Sequence, residues 1–181
     1  MRTLLRILAL AAALVFFGCN DRVDETDSGG VLLEVEFEDS VYRVSVNDPT
    51  QLVSIPTVNI DSIAVNPNGA TSSMMDVQLQ TIEVIFSRAD TGTRVPPPFY
   101  FNLIGTVPVG GTLTYNNLPI MSLDQLGRAP LSELRFENGA FDRETGSSVV
   151  KLNATFRAYG RTVSGKNVSS QPRTQTFEFV P

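Results

Sequence analysis

The chain has 181 residues, a formal net charge of −5, no histidine, no tryptophan and one cysteine, Cys19. Those absences exclude an intrachain disulfide, zinc, copper and haem sites of the usual His/Cys type, and nucleophile systems that depend on histidine. The acidic balance leaves no electrostatic footprint for nucleic acid, so neither a nucleic-acid partner nor a cofactor is expected.

Arg2 and Arg6 make a short positive start, and Leu4 to Phe17 is apolar apart from Arg6. The uncharged run from Ile7 to Gly18 falls short of the roughly 20 apolar residues that span a bilayer. A charged start, a short apolar centre and a small residue before a cut read as a secretory signal over residues 1–18. The ending Val15-Phe16-Phe17-Gly18-Cys19 resembles the lipobox of bacterial lipoproteins. The resemblance implies that Cys19 is the lipidated first residue of the mature chain, with the lipid bilayer as its partner. Triple acylation would hold the protein firmly, since a single chain binds only marginally. In that family an Asp after the cysteine tends to mark retention in the inner membrane. Asn20 stands there, which implies a cell-envelope location, the outer membrane in a two-membrane cell.

Residues 19–30 are polar, acidic and end in Gly29-Gly30, the composition of a flexible tether. They lack the regular Asp-x-Asp-x-Asp-Gly spacing of a calcium loop. A single domain is expected over 31–181. It opens with Leu33, Val35 and Phe37 on one parity and Glu34, Glu36 and Glu38 on the other, which predicts a half-buried strand. Tyr42, Val44 and Val46 continue the alternation. Leu52 to Ile55 reads as a short edge piece stopped by Pro56. Val58 and Ile60 change parity with Ile63 and Val65, which predicts a bulge near Asp61-Ser62. Ala70 to Met75 reads as loop. Val77 to Phe86 carries apolar residues on both parities after Ile82, as a central strand does.

Phe99 to Ile104 and Thr112 to Tyr115 read as strands around Gly110-Gly111. Helical punctuation occurs between Met121 and Leu134, where one or two short turns are expected. The cleanest strand is the last long one: Val150, Leu152, Ala154, Phe156 and Ala158 inward, Lys151, Asn153, Thr155 and Arg157 outward. Phe177 and Phe179 pair back onto it. About eight to ten strands with almost no helix predict an all-β, antiparallel two-sheet sandwich. The stretch from Leu152 to Ser170, with Gly165 at its polar tip, resembles the closing hairpin of immunoglobulin-like and fibronectin type III domains. That resemblance implies an immunoglobulin-like sandwich and no particular activity.

Several motifs could carry chemistry. Asp90-Thr91-Gly92 matches the signature of aspartic proteases, which need two such aspartates and hence a homodimer here. The same residues are ordinary turn chemistry. Ser148-Val149-Val150-Lys151 matches Ser-x-x-Lys, but on a strand the two side chains point to opposite sides. The sequons at Asn153 and Asn167 are coincidental in a bacterial lipoprotein. The leading reading is a non-enzymatic, membrane-anchored envelope lipoprotein that contacts another envelope protein or a surface ligand. Its candidate contact residues are the aromatic run Phe99, Tyr100 and Phe101 beside Pro96-Pro97-Pro98, and the cations Lys151, Arg157, Arg161 and Lys166. The alternatives are a hydrolase of aspartic or carboxylate type centred on Asp90, and a glycan-binding module using the tyrosines.

Overall fold

The computed structural model describes residues 30–38, 41–48 and 52–181. The expected signal segment, Cys19 and the expected tether before Gly30 lie outside the described residues. Alternating sequence becomes strand wherever one parity can reach the core. Thus β1 (Val31–Glu36) buries Val31, Leu33 and Val35 and exposes Leu32, Glu34 and Glu36. The other strands are β2 (Tyr42–Ser45), β3 (Ser54–Ala64), β4 (Val77–Arg88), β5 (Phe99–Val107), β6 (Thr112–Pro119), β7 (Val150–Thr162), β8 (Asn167–Ser169) and β9 (Arg173–Val180).

Among the described residues these strands form two sheets, ordered β1-β3-β6 and β2-β9-β7-β4-β5, with β8 also paired to β7. The architecture is all-β and sandwich-like. Two features correct the expected antiparallel immunoglobulin-like sandwich. The larger sheet is an open half-barrel rather than one leaf of a closed sandwich. In addition, β2 runs parallel to β9, pairing Tyr42 with Phe177 and Ser45 with Val180. β1 and β2 belong to different sheets, so the two-residue hairpin that makes consecutive strands antiparallel neighbours does not govern this pair.

The core fills the space between the sheets. Leu33, Val35, Val58 and Ile60 from the smaller sheet and Ile82, Val84, Phe156 and Phe177 from the larger are all buried. Phe37 meets Phe156 edge-on at 5.2 Å, and Tyr42 stacks on Phe177 at 5.3 Å. Each buried aromatic or large aliphatic side chain contributes on the order of 2–3 kcal/mol. Two corners join the sheets. At one, Leu33 bridges Ser170, whose N–H donates to the Ala158 carbonyl at 2.8 Å and whose hydroxyl accepts the Ala158 N–H at 2.9 Å. At the other, β5 turns into β6 and the Tyr115 hydroxyl donates to the Ile104 carbonyl at 3.2 Å.

The helical turns fall where punctuation predicted them: α1 (Leu123–Leu126) and a 3-10 turn over Leu131–Leu134. The sequence Ser-x-x-Gln explains α1, because the Ser122 hydroxyl accepts the Gln125 N–H while the Gln125 side chain accepts the Ser122 N–H. Further 3-10 turns occupy Ser73–Met75, inside the expected loop, and Phe136–Asn138. The two ends of the barrel differ. At one, the chain enters through Gly30, whose carbonyl accepts the Val65 N–H at 2.9 Å, near Met75 and the turn after β7. At the other lie the ends of β2, β4 and β9 and the cap formed by residues 120–147.

Two expectations for β3 are overturned. Pro56 does not stop the strand: β1 reaches only Asn59, so among the described residues Pro56 has β6 alone beside it, and the β3–β6 pairing continues on both sides of it at Ile55 and Thr57. Nor does β3 bulge at Asp61-Ser62, since its register with β1 is unbroken. Ser62 takes the inward position and leaves Ile63 exposed. The bulge is in β4. Leu79 pairs Gly160 and Thr81 pairs Tyr159, which leaves Gln80 without a partner on β7 and switches the buried parity from Val77 and Leu79 to Ile82 and Val84. The strands crowd here: a Cβ on Gly160 would lie 2.7 Å from Val77 Cγ1 and 2.8 Å from the Gln78 carbonyl oxygen. Gly160→Ala should therefore destabilise the domain by roughly 1–3 kcal/mol, seen as a lower urea midpoint with an unchanged slope.

Candidate functional site

The larger sheet's outer face gathers part of the candidate contact set. Register places Glu83 of β4 between Tyr100 of β5 and Arg157 of β7. The Tyr100 hydroxyl donates to Glu83 Oε1 at 2.9 Å and the Tyr159 hydroxyl donates to Oε2 at 2.8 Å. One carboxylate thus fixes two phenols. Its hydrogen bond raises the Tyr100 pKa, while burial and then the same carboxylate raise that of Tyr159. Tyr100 remains 60% exposed. Arg157 and Arg161 project from the same side of β7, and Lys151 pairs with Glu178 of β9 at 2.6 Å.

The remaining candidates lie elsewhere. Phe99 and Phe101 share register with the buried Val84 and Ile82, so they face the core side; Phe101 is partly exposed because β5 is the sheet's edge. Lys166 sits in the turn between β7 and β8. Glu83, which organises the cluster, has no distinguishing signal in the sequence, because its partners come from strands 17 and 76 residues away. The smaller sheet's outer face is opposite in character. A cavity of about 590 Å³ there is lined by Glu34, Glu36 and Asp61 and by no basic side chain.

Asp90 belongs to a different assembly, an ionic network over the capped end. Its Oδ1 accepts from Arg88 Nε at 2.6 Å and the Gly92 N–H at 3.0 Å; its Oδ2 accepts from Arg88 Nη2 at 3.0 Å and the Lys151 N–H at 2.9 Å. Arg88 also reaches the wholly buried Asp142 at 2.8 Å. Arg94 forks onto Glu133 at 2.7 and 2.8 Å and touches Asp142 at 3.0 Å. Glu144 accepts from the Thr93 hydroxyl and N–H and from the Arg94 N–H.

This chemistry is that of an anchor. Burial pushes the Asp90 carboxyl up, but Arg88 and the Lys151 and Gly92 N–H groups outweigh it and hold the pKa low. Asp142 is likewise pushed up by burial and held down, at about 2, by Arg88, Thr145 and the Glu144 N–H. The Thr93 hydroxyl and the Arg94 N–H hold Glu144 at about 2, and Arg94 lowers Glu133. Four donors already engage the Asp90 carboxylate, whose side chain is 20% exposed. Among the described residues no group of three or more acidic, histidine or cysteine side chains is placed to hold a metal ion. The chain matches no known protein family and no characterised protein.

The network predicts a sign for acid sensitivity. Its carboxyl pKa values are lowered in the folded state, so their stabilisation is complete above the ordinary values of 3.8 and 4.5 and is lost as pH falls towards about 2. Urea midpoints should fall across that window. Asp142→Asn should cost roughly 1–3 kcal/mol at neutral pH, because Arg88 and Arg94 lose the buried carboxylate they share while keeping Asp90 and Glu133, and should flatten the acid dependence.

Proposed function

We propose that this chain is a lipid-anchored envelope protein whose β domain is a non-catalytic binding module, presenting the outer face of its larger sheet to another envelope protein. The anchor rests on the resemblance of Val15 to Cys19 to a lipobox and on the acidic residues 19–30 that separate it from the first strand. The binding role rests on exposed Tyr100, fixed through Glu83 to the half-buried Tyr159, with exposed Arg157 and Arg161 beside it. Tyrosine and arginine dominate the energetics of protein interfaces, and a phenol held by a hydrogen bond loses little freedom on docking. The all-β, sandwich-like architecture is of a kind that serves many binding modules, and it assigns no activity by itself.

Cross-linking in intact cells followed by mass spectrometry tests the binding surface. A single reproducible partner should be captured by the wild-type chain and lost by Tyr100→Ala and Arg157→Glu, each weakening the contact at least roughly tenfold. Capture that survives both substitutions would place the interface elsewhere. Fractionation tests the anchor. Cys19→Ala should move the protein from the membrane to the soluble fraction, and its retention in the membrane would end the lipoprotein reading.

A further inference from the structure

Two Asn-Gly pairs occur in the chain, Asn68-Gly69 and Asn138-Gly139. An asparagine in this position is exposed to attack by its own backbone, because glycine has no side chain to keep its nitrogen from the asparagine Cγ. The fold treats the two pairs differently. Asn138 ends the 3-10 turn over Phe136–Asn138; its Nδ2 donates to the Ser132 carbonyl at 2.7 Å and its N–H to the Arg135 carbonyl at 2.9 Å. Gly139 has φ +106°, donates its N–H to the Phe136 carbonyl at 3.2 Å, and lies so near Phe141 that a Cβ would sit 3.0 Å from the ring. Asn68, by contrast, belongs to the exposed loop after β3, and among the described residues no group bonds its side-chain amide. Its N–H makes a long 3.3 Å bond to Asn66 Oδ1, and the Gly69 N–H donates to the Asn66 carbonyl at 3.0 Å.

We propose that Asn68 is a site of spontaneous deamidation and that the fold protects Asn138 from the same reaction. The Gly69 nitrogen attacks Asn68 Cγ. The new N–Cγ bond closes a succinimide, the Cγ–Nδ2 bond breaks, and Nδ2 leaves as ammonia with the proton that Gly69 gives up. Water then opens the ring at either carbonyl, leaving aspartate from one and isoaspartate from the other. At Asn68 the amide is free to turn, and a single bond in an exposed loop, Gly69 to Asn66, has to open first. At Asn138 the leaving amide is tied to Ser132, and Gly139 is packed beside Phe141. The product carries one more negative charge. It appears directly after Pro67, which lines the cavity with Glu34, Glu36 and Asp61, so the reaction makes an acidic face more acidic. Isoaspartate also adds a carbon to the backbone of the loop that follows Val65, the residue bonded to Gly30. The inference stands apart from the tyrosine face and does not depend on that surface.

The test incubates the full chain in warm, mildly alkaline buffer made with heavy-oxygen water and follows it by peptide mass spectrometry. Asn68 should exchange its side-chain nitrogen for one heavy oxygen and yield two separable peptides, aspartyl and isoaspartyl. In the folded chain it should react about tenfold faster than Asn138, the factor expected when the slower site must first give up a further hydrogen bond. In urea, where that distinction is lost, the two sites should react at one rate. Gly69→Ala should slow the reaction at Asn68 several-fold and leave Asn138 unchanged. Asn68→Gln should remove the labelled pair, since the larger imide ring closes more slowly. An unlabelled Asn68 in a folded chain whose urea-unfolded form is labelled would show that the loop protects it, and would overturn the site. Folded-state labelling of Asn138 as fast as Asn68, a product free of isoaspartate, or an undiminished rate in Gly69→Ala would overturn it as well.

Discussion

The pairing of β4 with β7 is the constraint on which the rest depends. These two long central strands carry every other strand of the larger sheet: β5 on the far side of β4, and β8 and β9 on the far side of β7. The pairing also sets what faces out. Because Gln80 is extruded and Gly160 lets the chains close over it, the buried parity of β4 changes halfway. Glu83 lands on the outer surface as a result, between strands bearing Tyr100 and Tyr159. Without that one-residue insertion the upper half of β4 would present Ile82 and Val84 to solvent and turn Glu83 into the core.

The capped end is held differently. Residues 120–147 contain only short helical turns, too little regular structure to close the barrel through backbone ladders. Charge does the work instead: Arg88 and Arg94 gather four carboxylates from three separate segments and bind the loop after β4 to the segment before β7. A buried ionic network of this kind is costly to assemble and stabilising only when every lone pair is used, a condition that Asp90 and Asp142 meet with four donors each. The cap is therefore specific in geometry.

Much of the strand content was legible because the outward parity is polar. The glutamates of β1 and the cations of β7 mark their solvent faces without ambiguity, and Ser122-x-x-Gln125 marks the start of α1. Errors arose where a residue broke the polarity rule. Ser62 occupies an inward position with an unpartnered hydroxyl while Ile63 faces out, so the parity of β3 looked shifted when it was not. In β4 the shift shows in the sequence as apolar residues on both parities, a pattern that its central position in the sheet also produces. The parallel β2–β9 pair and the ionic network were not legible, since they join residues such as Arg88 and Asp142, 54 apart in the chain. Asp90 drew notice as a possible proton-transfer group; what surrounds it is known only from the fold.

The placement of β1 has a mechanical consequence. β3 holds β1 antiparallel along its whole length, from Val31 against Ala64 to Glu36 against Asn59. Under the proposed lipid anchor, a pull on the chain ahead of Val31, resisted at the opposite end of the domain, would run along the strand axis. The ladder's hydrogen bonds would then share the load side by side, in shear, and have to fail together. Attachment at the other end of β1 would have peeled them one at a time. A domain joined in this way suits a protein whose two ends are held by different structures that move apart.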